Sequence, residues 1–175
     1  MNGDRYAEAA DPIVTVLQKV PIFDGLSLTE VQKIFNLCRF KQVSPGSDLY
    51  RSGSPSTDLF ILLEGSLGVR TSAGVEISQI YPIGLVGEMG VLTREPRSAD
   101  VVAIEDTIGF SIHQNDLNDL FLRHAEIGRK MLINVIQSLS KKLYNANAQL
   151  EQLKNIVPSI SKEADELLGG NIFLY

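Results

Sequence analysis

The spacing of apolar positions changes period twice along the chain, and the changes divide it into helical entrance, β-rich body and helical exit. Residues 13–20 read as a short helix. Ser27 stands where an N-cap belongs, with Glu30 three residues on, so the two predict a capping box ahead of the helical run Val31, Ile34, Phe35 and Leu37. From Phe40 the pattern becomes short β-rich runs separated by Ser44-Pro45-Gly46, by the polar stretch 52–56, by Gly65 and by the stretch 72–74. Strands are expected at 59–63, 67–71, 75–80, 100–103 and 108–112, a spacing that predicts an antiparallel barrel or roll.

After His113 the period is helical again. Residues 125–157 contain no glycine beyond Gly128 and no proline before Pro158, so one helix is expected to run through them. Leu132, Ile136, Leu139, Leu143, Ala146, Leu150, Leu153 and Val157 alternate by four and three residues, the a/d stripe of a coiled coil. A homodimer through the 132–157 helix is the expectation; a helix lying on its own barrel would show a broader apolar stripe. The expected organisation is a tail over 1–12, a roll with flanking helices over 13–124, a dimerisation helix over 125–157 and a tail over 158–175. That last tail combines a short acidic helix with Gly169, Gly170 and the apolar end Ile172, Phe173, Leu174 and Tyr175, which could dock in cis or in trans.

Composition narrows the function classes. Apolar residues make up 44% and charged residues 21%, the balance of a globular domain. The net charge of -5 gives no overall field that favours nucleic acid or an anionic membrane, so any anion must be captured locally. Neither a leader-like apolar stretch nor a run of about 18 apolar residues occurs, and a cytoplasmic location with no membrane partner is expected. Cys38 is the single cysteine and sits within the helical run, which predicts an inert, buried thiol. His113 and His124 have no further ligands at metal spacing, and no P-loop or nucleophile elbow is present. The expectation is a protein that is not an enzyme and holds no metal.

The candidate chemistry lies in the stretch Gly84, Leu85, Val86, Gly87, Glu88, Met89, Gly90, Val91, Leu92 and in Arg97 and Ser98 just after it. Glycines let backbone N–H groups approach an oxyanion, and a short helix beginning near Glu88 would add donors. Glu88 itself repels phosphate, so its natural target is a ribose hydroxyl. The Arg97 guanidinium can bind a phosphate bidentately, and Ser98 adds a hydroxyl. The competing reading is a structural ion pair between Glu88 and Arg97 in an empty pocket.

Gly87, Glu88, Met89, Gly90, Val91 and Leu92, followed by Pro96, Arg97, Ser98 and Ala99, resemble the phosphate-binding cassette of the cyclic nucleotide-binding domains found in catabolite activator proteins, protein kinase A regulatory subunits and cyclic-nucleotide-gated channels. The resemblance spans residues 21–153. It implies an α+β fold: an eight-stranded antiparallel β-roll, jelly-roll-like, flanked by N-terminal helices and a long C-terminal helix. It further implies Glu88 on the ribose 2'-hydroxyl, Arg97 on the cyclic phosphate, Ser98 on phosphate or base and the Gly87 backbone alongside, with Val86, Met89 and Ala99 completing the site. Asn147 aligns where a polar side chain can reach the purine, next to Ala146 where relatives often carry a hydroxyl. The implied ligand is cyclic AMP or cyclic GMP, with cyclic AMP favoured because bacterial relatives carry serine at the Ser98 position. The function so implied is a regulatory sensor that signals through its C-terminal helix to an unidentified downstream protein. The alternatives are a scaffold with a vestigial pocket and, less well supported because only the acidic stretch 158–175 follows the coil, a DNA-binding transcription regulator.

Overall fold

The structure is a computed structural model that describes residues 12–167, with side-chain environments described for 12–152. It opens with α1 (Pro12–Leu17), a 3-10 turn at Pro21–Phe23 and α2 (Leu28–Phe35). The predicted capping box is present: the Glu30 N–H donates to Ser27 Oγ at 3.3 Å, and the Ser27 N–H donates to Glu30 Oε2 at 2.8 Å.

Eight strands follow: β1 (Arg39–Val43), β2 (Asp48–Tyr50), β3 (Asp58–Glu64), β4 (Leu67–Arg70), β5 (Glu76–Ile80), β6 (Leu85–Val86), β7 (Asp100–Ala103) and β8 (Thr107–His113). They form two antiparallel four-stranded sheets, ordered β1-β8-β3-β6 and β2-β7-β4-β5, which is the α+β roll expected. The core between them takes Phe60, Leu62 and Val86 from the first sheet and Leu49, Tyr50, Leu67, Val101 and Ala103 from the second. Leu59 and Ile61, which alternate with these along β3, are also fully buried. Burial on both faces explains why β3 reads as an unbroken apolar run. The strands expected from sequence agree with the observed ones to within about a residue, whereas the two- and three-residue strands β6 and β2 are too short to carry a period of their own.

The short α3 (Glu88–Thr93) follows β6, and α4 (Gln114–Arg123) follows β8, its N-cap provided by His113 Nδ1, which accepts from the Asn115 N–H at 3.2 Å. Cys38 is half-buried with its Sγ–H directed at Ile34 O at 3.6 Å, and burial pushes its thiol up to about 12.

The last helix, α5 (Ala125–Leu167), passes through Pro158, where the sequence predicted an end. Proline removes one backbone donor, and the ladder on either side carries the helix past it. Two compact units divide within α5, between Val135 and Ile136, and not at its start. In the first, Ile127, Met131 and Val135 are buried at helical spacing. Lys130 Nζ bonds both Glu30 carboxylate oxygens at 3.0 and 3.1 Å, and Asn134 Nδ2 donates to Ile22 O and Asp24 O at 3.0 and 2.9 Å. In the second unit Ile136, Leu143 and Leu150 of the apolar stripe are exposed. Among the described residues no helix is long and apolar enough to cross a membrane. The apolar end Ile172 to Tyr175 lies outside the described residues.

Candidate functional site

The site is built around Arg97, and its placement begins with the backbone. The Arg97 N–H donates to Ser54 O at 2.9 Å and Arg97 O accepts from the Gly53 N–H at 2.8 Å, which pins the residue to the turn after β2. Its side chain is turned inward, and the residue is only 5% exposed. Nη2 donates to Asp58 O at 2.6 Å and to Asp58 Oδ1 at 3.0 Å, while Nη1 donates to Gly87 O at 3.3 Å. One face of the guanidinium stacks on Tyr50, with Cζ 3.5 Å from the ring centroid.

Gly87 makes this geometry possible. It caps α3 with φ 84°, a conformation that L side chains avoid. A Cβ there would collide with Arg97 Nη1 and stand 2.9 Å from Tyr50 Cε2. The glycine is thus required twice, by its torsion and by the packing of the guanidinium.

Asp58 is shared among several partners. Besides Arg97, Oδ2 accepts from Tyr50 Oη at 3.3 Å, and the Asp58 main-chain O accepts from the same hydroxyl at 3.1 Å. Lys41 Nζ stands 4.0 Å from Oδ2. Burial first, and the nearby Asp58 carboxylate second, push the Tyr50 phenol well above its ordinary range, so it remains a protonated donor. An open cleft of about 660 Å³ is lined by Tyr50, Thr57, Asp58 and Arg97 among others.

One donor in this cluster is left over. Arg97 Nε is buried and has no hydrogen-bond partner, although the other guanidinium nitrogens are engaged. A buried, unsatisfied cationic donor is costly, and an oxyanion is the group that would complete it. The chemistry of the site therefore fits an anionic ligand.

The other expected residues fall into distinct places. Glu88 is buried as the first residue of α3. Val86 is buried in the inter-sheet core and pairs with Phe60 across the β3–β6 ladder, which makes it a wall of the roll. Met89 and Ser98 are exposed and Ala99 is half-buried. Asn147 is an exposed residue of α5 in the second unit. Tyr50, Asp58 and Lys41 were not singled out from sequence. Arg97 and Asp58 are 39 positions apart, and an ordinary Asp at the head of a strand carries no local mark of the contact. Among the described residues no group of His, Cys, Asp or Glu side chains could hold a metal ion.

Comparison with known proteins gives a consistent picture. Residues 40–124 match the cyclic nucleotide-binding domain family. Glutaminase 1 of Bradyrhizobium diazoefficiens is 28% identical over 85% of this chain and 24% of its own length. A cyclic nucleotide-gated potassium channel of Mesorhizobium japonicum is 33% identical over 62% of this chain and 30% of its own. The chain thus spans less than a third of these two curated relatives. Among solved structures, the catabolite activator protein of Thermus thermophilus is similar with a TM-score of 0.66 at 26% identity, covering 77% of this chain and 63% of that one.

Proposed function

Since the chain belongs to the cyclic nucleotide-binding domain family, we propose that it is a regulatory sensor whose ligand is a cyclic purine nucleotide, cyclic AMP in preference to cyclic GMP. The observation that carries this reading is the unsatisfied, buried Nε of Arg97, which a cyclic phosphate would complete. In this reading Glu88 accepts from the ribose 2'-hydroxyl, Gly87 brings the start of α3 close to the phosphate, and Ser98 and Ala99 flank it. Val86 and Met89 provide apolar contacts, and Asn147 reaches the base. Preference for cyclic AMP rests on the serine at position 98, as in bacterial relatives.

The bound state is transmitted by a difference in affinity between two arrangements of the chain, because a ligand shifts only an equilibrium whose states it distinguishes. We assign the sensing role to residues 13–124 and the output role to the helix over 125–157. The exposed stripe of Ile136, Leu143 and Leu150 supports pairing of that helix with a second copy, and a downstream protein in the cytoplasm would read the pair.

Isothermal titration of the purified chain with cyclic AMP and with cyclic GMP tests the ligand. Saturable heat with cyclic AMP, lost in Arg97→Ala, is expected; no heat with either nucleotide, or unchanged binding by Arg97→Ala, overturns the reading. Light scattering coupled to size exclusion tests the pairing, with a dimer expected for the natural chain and a monomer for Leu143→Asp.

A further inference from the structure

We propose that Tyr50 is a positioning residue for the phosphate anchor, holding the Arg97 guanidinium flat and in one orientation before any ligand arrives; the proposal rests on the nucleotide reading above. Tyr50 belongs to the sheet containing β2, whereas Asp58 opens β3 in the facing sheet, so the phenol spans the core between them. An aliphatic side chain would fill that volume without bringing a hydroxyl into an apolar interior, where a hydroxyl must find a partner. The phenol has its partners in Asp58 O and Oδ2, and burial keeps it protonated for that purpose.

What the ring contributes is a surface. Arg97 Cζ lies 3.5 Å from the centroid, and the side chain that stacks there has many rotamers to lose. Ordering it in the ligand-free protein removes that cost from the binding step. The stack also fixes which donors remain. Nη2 is committed to Asp58 through two bonds and Nη1 donates once to Gly87 O, which leaves Nε and the second Nη1 hydrogen for an anion. The phosphate is thereby directed to Nε, and a grip through both terminal nitrogens at once is closed off while Asp58 holds Nη2. Lys41 Nζ, 5.9 Å from the centroid of the same ring, adds a second cation to this cluster.

The test pairs binding with a spectroscopic readout on Tyr50→Phe and Tyr50→Leu. Removing the cation–π contact in Tyr50→Leu is expected to weaken cyclic AMP binding about 10-fold, and Tyr50→Phe, which keeps the ring, is expected to stay within about 3-fold of the natural chain. In arginine-labelled, ligand-free protein the Arg97 Nε–H resonance should be shifted by the ring current in the natural chain and in Tyr50→Phe, and should move to the position of exposed arginines in Tyr50→Leu. Tyr50→Met replaces Tyr50→Leu if the latter does not fold. Undiminished binding by the aliphatic variant, or an Arg97 Nε–H resonance that does not move, overturns the Tyr50 proposal and leaves the nucleotide reading intact. A natural chain that binds neither nucleotide overturns both.

Discussion

Arg97 and Asp58 form the ion pair at the centre of the site, with Nη2 bonded to both the side-chain and main-chain oxygens of the aspartate at 3.0 and 2.6 Å. The guanidinium side chain is 4% exposed and the carboxylate 19%, so the pair is largely withdrawn from water. Removing one member leaves the other charge poorly solvated. Asp58→Asn is therefore expected to destabilise the ligand-free protein by about 1–3 kcal/mol, somewhat below the cost of breaking a fully buried pair. A cyclic phosphate can take over the lost negative charge, so saturating cyclic AMP should raise the thermal midpoint of Asp58→Asn by more than it raises that of the natural chain. Equal shifts in scanning calorimetry would show that the phosphate does not replace the lost negative charge beside Arg97.

Gly87→Ala tests the junction between torsion and packing. At φ 84° an alanine costs about 1–2 kcal/mol, and its Cβ would drive against Arg97 Nη1 and Tyr50. Urea denaturation should show that loss, and titration should show cyclic AMP binding weakened by about 10-fold or more, since the guanidinium cannot keep its place. An alanine variant with natural affinity would remove Gly87 from the site.

Ile83 carries strain away from the ligand. The turn from Tyr81 to Gly84 is closed by the Gly84 N–H donating to Tyr81 O at 2.9 Å, with Pro82 leading and Ile83 at φ 69°. A β-branched residue is poorly suited to that region, and glycine is the usual occupant of the third position of such a turn. Ile83→Gly is expected to raise stability by about 0.5–1 kcal/mol after the greater chain entropy of glycine and lost contacts offset part of the relief. A lower urea midpoint in the variant would show that the side-chain contacts outweigh the torsion.

Glu30 links the cap of α2 to α5. The Ser27 backbone N–H, and then Lys130, hold its carboxyl below the ordinary carboxylate value of 4.5. A group with a depressed folded value stabilises the fold above its unfolded value, and that contribution is lost as pH falls through the folded one. Glu30→Gln should therefore cost about 1 kcal/mol at neutral pH, in the range of a lost cap, and the gap to the natural chain should close as pH drops below about 4.5. A difference in melting temperature that stays constant from pH 7 to pH 3 would refute the ionic part of this account.

Much of the molecule was legible because its signals are local. The Ser27–Glu30 capping box, the glycine at the α3 N-cap and the strands from 58 to 64 and 100 to 103 are each specified by residues a few positions apart. The candidate cassette is local in the same way, since Gly87, Glu88, Arg97 and Ser98 lie within one short stretch. The passage of α5 through Pro158 was misjudged because a residue's propensity weighs only its own lost hydrogen bond and not the ladder around it.

The order of residues alone was enough to specify an antiparallel roll between helices and to single out Arg97 as the candidate anion anchor. The partners of Arg97 emerge only from the folded roll: it stacks on Tyr50 from one sheet, bonds Asp58 from the other, and keeps a buried Nε without a hydrogen-bond partner. Turn and capping chemistry act over three or four residues and leave a mark in the order of the chain. The partners of a buried charge are chosen by which strands the roll folds together, and for Arg97 and Asp58 that meeting bridges 39 positions.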